Sequence, residues 1–309
     1  MELRQVSARE YAQAFPKPNH IYNSVAFTEL NRRKCDEAAY LIFADTKVRG
    51  GLIAGLRDGI WHSPFSAPYG GLVTTARRPV DEIEEMYTLA AAFSRQQALG
   101  LRVTLAPEFM DSDTFAKSVN VLSRMSSHTV CDINHHAEIK SVTDPAQLFS
   151  YNARGALKQA LRLPYTFEQL TPTRENISRV HRVITLNHSH RGYPVHMTVD
   201  DIAATAPIVG ADFFVLTLDE EDIAAAQIHH PWPGVAQIIY WGDVPGHQAQ
   251  RPMHRLAAAI FGHYIGRGDI DIVDIGISTV DGIPNPGLCF FKESIGCRPT
   301  PRPGYLLAR

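Results

Sequence analysis

The order of predicted secondary-structure elements repeats along the chain, and this repeat limits the possible folds more than any other feature. Each half contains a helix, strands, a loop, a helix, a strand, a helix and strands. In the first half, helices are predicted at residues 23–35, 79–99 and 111–125, strands at 38–44, 48–56, 60–61, 101–106 and 129–139, and a loop at 63–71. In the second half, helices are predicted at residues 152–162, 175–188, 200–206, 252–266 and 285–295, and strands at 213–218, 223–229, 235–241, 270–277 and 305–308. Helices that alternate with strands predict an α/β (α+β) protein of two units, with domains at 1–145 and 146–309.

The helix predicted at residues 79–99 has a clear pattern. Ile83, Met86, Tyr87 and Ala90 recur at helical spacing and form an apolar stripe. Gly100 follows at the position of a C-cap glycine.

The charge of the chain argues against a general nucleic-acid binder. Its 309 residues include 30 Lys and Arg against 32 Asp and Glu, which leaves a net charge of −2. Because affinity for nucleic acid rests largely on phosphate neutralisation, no DNA partner is expected. A tRNA partner is possible but is disfavoured by this charge.

The chain is expected to be cytoplasmic, with free thiols and no bound metal. The first fifteen residues include four charged residues where a secretory signal needs an apolar stretch, and no window is apolar enough to span a membrane. The 14 histidines form no spaced ligand set such as HExxH. The cysteines form no CxxC pair and stand at Cys35, Cys131, Cys289 and Cys297.

The segment at residues 285–296, NPGLCFFKESIG, contains the most specific motif. Asn285 is a good helix N-cap, Pro286 suits the first helical position, and Gly296 is placed to end the helix. The segment follows a strand predicted at residues 270–277.

The element order resembles the GNAT acyltransferase fold, and its duplication resembles the tandem arrangement of Fem-type peptidoglycan aminoacyltransferases. GNAT enzymes commonly have N-x-x-A-x-x-L-Y-x-x-x-G at this helix, and Asn285, Leu288, Phe291, Lys292 and Gly296 fall on that spacing. The lysine stands where simple GNAT enzymes have tyrosine, and a Phe-Lys pair followed by Gly is similar to Fem-type proteins. The resemblance implies two tandem GNAT-like units, each a mixed, mostly antiparallel sheet flanked by helices.

The resemblance implies a catalytic role for Lys292. Acyl transfer passes through an oxyanion that needs a preorganised donor, which an ammonium group can provide. We expect this ammonium to reach a pocket flanked by the strands at 237–241 and 270–277. The alternative is a surface lysine, paired with a neighbouring acid.

A basic stripe is predicted on the helix at residues 152–162. Arg154, Lys158 and Arg162 recur every four residues, with no acid between Asp144 and Glu168. The helix is similar to the one that opens the second unit of Fem-like proteins. We expect the stripe, with Asn152, to lie on a cleft and hold a phosphate or carboxylate; the alternative is a solvated basic face.

The resemblance implies an activated donor, but the CoA signature is weak. GNAT enzymes cradle the pyrophosphate of CoA with (Q/R)-x-x-G-x-(G/A), where backbone N–H groups converge. In the stretch at residues 244–253 only Gly246 falls in a plausible place, and Pro252 removes a donor. The matching loop of the first half, at residues 67–71, contains Tyr69 and is similar to a loop of Fem-type first domains. The donor is therefore an acyl-CoA or another activated acyl or aminoacyl group.

The sequence and its resemblance also predict further site residues and two alternative functions. Asp243, at a strand end, is predicted as a base or a ligand of the substrate amine, and Tyr69, Trp241 and Asn285 are predicted to bind substrate. The favoured function is an N-acyl or aminoacyl transferase that forms an amide on a small-molecule amine of a sugar, an amino acid or a cell-wall precursor. The alternative is a non-catalytic tandem GNAT protein that binds a ligand or a partner.

Overall fold

The computed structural model of the protein describes residues 1–97 and 100–308, and it divides into two compact units. Unit 1 comprises Met1–Ile133, Thr279–Pro284 and Thr300–Arg309, and unit 2 comprises Asn134–Ser278 and Asn285–Pro299. The chain therefore returns from unit 2 to unit 1 twice, at Thr279–Pro284 and at Thr300–Arg309. The domain division between residues 145 and 146 stays a prediction.

Helices and strands alternate along the described residues. The helices are α1 (Ala8–Ala14), α2 (Val25–Leu30), α3 (Val80–Gln97), α4 (Ser112–Met125), α5 (Tyr151–Ala160), α6 (Arg174–Arg191), α7 (Val199–Val209), α8 (Pro252–Arg267) and α9 (Pro286–Ser294). The strands are β1 (Glu2–Val6), β2 (Glu37–Ala44), β3 (Val48–Arg57), β4 (Ile60–Ser63), β5 (Leu72–Thr74), β6 (Gly100–Thr104), β7 (His128–Glu138), β8 (Thr166–Leu170), β9 (Asp212–Leu218), β10 (Glu221–Trp232), β11 (Val235–Asp243), β12 (Ile272–Ile277), β13 (Thr279–Val280), β14 (Ile283–Pro284) and β15 (Arg298–Ala308).

Unit 1 is a sheet with helices packed on both faces. Its strands are hydrogen-bonded in the order β1, β2, β3, β4, β6 and β15, with β5 on β3 and with β4 parallel to β6. On β2, Leu41 and Phe43 pack in the core cluster of α3 and α4, whereas Tyr40 and Ile42 pack with Tyr11 of α1. Alternate side chains thus enter opposite cores, which explains the continuous apolar run of this strand.

Unit 2 repeats this two-sided arrangement. The residues of β7 that belong to it pair with β12, and β11, β10, β9 and β8 follow in that order, with β11 parallel to β12. On β9, Phe214 and Leu216 pack with α5 and α8, whereas Phe213 and Val215 pack with α6 and α7. The predicted fold class, a mixed α/β protein with mostly antiparallel strands flanked by helices, is confirmed.

Gly100 is the first residue of β6, and a Cβ at this position would lie 2.6 Å from the carbonyl oxygen of Leu307 on the neighbouring strand. Its role as a C-cap stays a prediction. The predicted helix end at Leu99 lies outside the described residues. The short strands β1, β5 and β8 and the helix α1 were not predicted, because windows of three to seven residues carry little periodic signal.

Among the described residues, every helix is too short or too polar to cross a lipid bilayer.

Buried histidines make the fold sensitive to acid. Burial lowers the pKa of His20 in unit 1 to about 4 and that of His229 in unit 2 to about 3. A histidine whose pKa is lowered in the folded state stabilises the fold above its ordinary pKa near 6.5, and this stabilisation is lost as the pH falls towards the folded value. We expect the free energy of unfolding to fall by roughly 2 kcal/mol per histidine between pH 7 and pH 5, as measured by urea denaturation. The His229→Gln variant should lose less stability between pH 7 and pH 5 than the wild type, whereas a substitution of the exposed His190 should leave this loss unchanged. The account is contradicted if the free energy of unfolding falls equally with pH in the wild type and in both variants.

Candidate active site

Helix α9 begins and ends where its sequence predicts. Asn285 is the N-cap, and its side-chain oxygen accepts a hydrogen bond from the N–H of Leu288 at 3.1 Å, with Pro286 as the first helical residue. Gly296 follows the helix with a φ of 91°, and a Cβ there would lie 2.5 Å from the Cβ of Leu148. Both ends of α9 are therefore fixed by local chemistry and close packing.

Lys292 points from α9 into the protein, and only 2% of its surface is exposed. Its Nζ donates hydrogen bonds to the carbonyl oxygens of Ile275, Gly276 and Ile277 at 2.8, 2.9 and 2.7 Å. An ammonium group has three N–H donors, so these carbonyls use all of them. The alternative of a surface lysine is wrong. The ammonium contacts the backbone of β12, one of the two strands predicted to flank its pocket. The pocket itself stays a prediction.

The three carbonyl oxygens converge because β12 bends at this point. Gly276 has a φ of 71°, and the pairing of β12 with β7 shifts register between Asp274 and Ile277. On its other side, the parallel pairing with β11 ends at the Gln237–Asp274 pair. Lys292 therefore binds β12 where the strand leaves the regular ladder.

Asp274, two residues before Gly276 on the same strand, holds this bend. It is fully buried, and its Oδ1 accepts hydrogen bonds from Asn134 Nδ2 at 2.9 Å and from the N–H of Gly276 at 3.0 Å. Its Oδ2 accepts a third bond from Gln237 Nε2 at 2.7 Å. Because these donors come from β7, β11 and β12, the carboxylate ties the three strands together.

A buried histidine lies next to the lysine. Ser278 Oγ is 2.9 Å from Nδ1 of His135, and Glu293 Oε1 is 3.5 Å from Nε2. Burial, followed by the charge of Lys292, lowers the pKa of His135 and favours the neutral imidazole. This group could not be recognised from sequence spacing, because its members are distant along the chain. Across residues 1–97 and 100–308, no three His, Cys, Asp or Glu side chains are placed to hold a metal ion.

Asp243 lies at the end of β11, as predicted. It is 4% exposed, and Asn187 Nδ2 donates a hydrogen bond to its Oδ1 at 2.9 Å. Burial raises the pKa of this carboxyl group, and the guanidinium of Arg191, 3.9 Å from Oδ1, partly opposes the shift. A carboxylate with a raised pKa is suited to accept a proton.

An aromatic contact joins the elements that carry the two predicted catalytic residues. The ring centroid of Trp241, two residues before Asp243, lies 6.0 Å from that of Phe291, which precedes Lys292. His254 of α8 packs edge-on against Phe291 at 5.4 Å. The structure therefore links the end of β11 to α9 through Trp241.

The remaining predicted substrate residues are dispersed. Tyr69 is fully buried in unit 1, where its ring lies 5.1 Å from that of His20. Asn285 is exposed, and its Nδ2 lies 3.4 Å from the hydroxyl of Tyr193. The substrate roles of these residues stay predictions.

The basic stripe is only partly formed. Arg154 and Lys158 are exposed on α5, but the helix ends at Ala160, so Arg162 lies beyond it. Pro164 explains the early end, because a proline disfavours helical geometry at the residue before it. The prediction that all three cations share one helix face is therefore wrong for Arg162.

A surface depression lies beside Arg154 and Lys158. Its volume is about 440 Å³, and Arg251, from the segment before α8, contributes a third cation that the sequence did not indicate. Arg251 is distant along the chain and reaches the depression because α5 packs against α8. The lining residues are Tyr151, Asn152, Arg154, Gly155, Ala156, Lys158, Gln159 and Arg251.

The segment before α8 uses several of its own backbone N–H groups. The N–H of Gly246 bonds to Gln248 Oε1 at 3.1 Å, and the N–H groups of Gln250 and Arg251 bond to carbonyl oxygens of the same segment. Pro252 has no N–H to offer. The N–H groups of Gly246, Gln250 and Arg251 therefore face the loop itself and are used within it.

The protein has a GNAT-like, Fem-type fold. It is similar to the crystal structure of FemX, with a TM-score of 0.70 and 11% identity over 100% of this chain and 98% of that chain. It is also similar to L-PGS from Bacillus licheniformis, with a TM-score of 0.61 and 11% identity over 99% of this chain and 94% of that one. A tandem GNAT protein from the clavulanic acid biosynthesis pathway gives a TM-score of 0.59 and 11% identity over 100% and 99% of the two chains. No protein-family model and no curated protein matches the sequence.

Proposed function

We propose that the protein is an N-acyl or aminoacyl transferase that forms an amide on an amine of a sugar, an amino acid or a cell-wall precursor. The observation that carries the proposal is the buried ammonium of Lys292, held where β12 leaves its parallel partner. The likeness to FemX and to a tandem GNAT protein over the whole chain supports this class of reaction. A cytoplasmic location and a small-molecule acceptor belong to the same proposal.

In this reaction Lys292 stabilises the oxyanion. The amine nitrogen forms a bond to the donor carbonyl carbon, and the bond to the leaving group breaks when the tetrahedral intermediate collapses. An oxyanion is a stronger acceptor than a neutral peptide carbonyl. One N–H of Lys292 therefore moves from a β12 carbonyl to the oxyanion, while the other two keep the ammonium in place.

Asp243 accepts the proton that the attacking amine loses. Burial raises its pKa, which makes it a better proton acceptor than an exposed carboxylate. Asn187 orients the carboxylate through its hydrogen bond to Oδ1. Trp241 contacts Phe291, which precedes Lys292, and provides an apolar wall beside that residue.

A donor titration tests the proposal. We expect one class of activated acyl or aminoacyl donor to stabilise the protein, by about 2.7 kcal/mol at 100 times its dissociation constant. The measurement is a thermal-shift series with acyl-CoAs, aminoacyl donors and nucleotide sugars, with each deacylated donor as its control. No shift with any donor would contradict the transferase and favour the non-catalytic tandem GNAT protein.

A further inference from the structure

The depression beside α5 has three cations and no acid in its lining. Arg154 and Lys158 come from α5, and Arg251 comes from the segment before α8. Its volume of about 440 Å³ lies in the range of small-ligand sites. Gly155 also lines the depression, and a Cβ at that position would meet no atom within 4 Å.

The chain segments around the depression contribute no negative charge. Arg154 and Lys158 stand one helical turn apart on α5, where like charges repel. Both chain segments that build the site, residues 145–167 and 244–268, contain no Asp or Glu. An anion bound here would remove this repulsion.

The side chains suit a diphosphate better than a carboxylate. The Nε–H of Arg251 contacts Gln159 Oε1 at 3.4 Å, which orients the planar guanidinium. Such a fork can donate two parallel hydrogen bonds to phosphate oxygens, and a lysine adds a mobile point charge. Three cations match the multiple negative charges of linked phosphates.

An exposed aromatic ring completes the site. Tyr151 lines the depression, and 83% of its surface is exposed. Aromatic rings beside cations are the usual platform on which a nucleobase stacks. The amide of Asn152, also in the lining, can bond to a sugar or base edge.

We propose that this depression binds a nucleoside diphosphate, with the phosphates held by Arg154, Lys158 and Arg251 and the base stacked on Tyr151. The inference rests on the proposed function in one respect: the nucleoside diphosphate would be the part of a nucleotide-bearing substrate that the enzyme holds. The side chains of α5 would then take the place of the N–H groups of Gly246, Gln250 and Arg251, which bond within their own loop.

Isothermal titration of the full chain with ADP tests the site, with adenosine as the phosphate-free probe. We expect saturable ADP binding that weakens with salt, and no binding of adenosine. Arg154→Gln and Arg251→Gln should each weaken ADP binding about tenfold. Arg162→Gln is the matched control, because Arg162 belongs to the same basic stripe but does not line the depression; it should change binding by less than about twofold.

The test separates this site from the transferase itself, since it requires no turnover. ADP binding that depends on Arg154 and Arg251 supports the site even if no amide product is found. The proposal is overturned if ADP fails to bind, or if Arg162→Gln weakens ADP binding as much as Arg154→Gln. It is also overturned if a short RNA binds and ADP does not displace it, even when the protein forms amide.

Discussion

Lys292→Met is expected to lower the rate of amide formation by at least about 100-fold. The ammonium is the group that we place on the developing oxyanion, and its three carbonyl partners hold it in a fixed position before the reaction. A methionine fills similar space but donates no hydrogen bond. The measurement is the initial rate with the donor found by thermal shift. A variant with the wild-type rate would end the catalytic assignment.

The control must separate catalysis from folding, because the same substitution leaves three carbonyl oxygens without their donor. We expect Lys292→Met to lower the free energy of unfolding by about 2 kcal/mol. Rates should therefore be compared at a temperature where the variant is fully folded. Lys140 is the matched control: it lies in unit 2 with 73% of its side chain exposed, so Lys140→Met should leave the rate unchanged.

Asp274→Ala is expected to cause the larger loss of stability, about 4 kcal/mol. It removes a buried carboxylate that accepts bonds from Asn134, Gln237 and the N–H of Gly276, and all three donors are left inside the protein. Asp271→Ala provides the control, since its side chain is 47% exposed and pairs with an exposed lysine. Chemical denaturation should show a change of less than about 0.5 kcal/mol for this control. Equal stabilities for the two variants would contradict the role of Asp274.

The local chemistry of α9 could be predicted from the sequence. Asn285, Pro286 and Gly296 fix the two ends of the helix through caps and a close approach, and these effects act within a few residues. The same reasoning placed the central strands of both units, because long apolar runs mark buried strands. For β15 only the end, at residues 305–308, was predicted. Its first half contains Pro299, Pro301 and Pro303, and proline is not typical of a strand interior.

The environment of Lys292 could not be predicted, because it depends on long-range packing. The lysine was known from its motif, but its carbonyl partners arise from the bend at Gly276, which Asp274 of the same strand holds through its bond to the Gly276 N–H. Arg251 was missed for the same reason, as only the packing of α5 on α8 brings it to Arg154. Sequence spacing identified which residue types are present, whereas the fold determined their neighbours.

Mass spectrometry of amide product tests the central claim most directly. The wild-type protein would be incubated with each stabilising donor and a mixture of amines drawn from amino sugars, amino acids and cell-wall precursors, beside Lys292→Met and Lys140→Met. The account predicts a new amide that carries the donor acyl group, formed by the wild type and by Lys140→Met and nearly absent with Lys292→Met. A donor that binds but is never transferred to any amine, or a product formed equally by all three proteins, would contradict it.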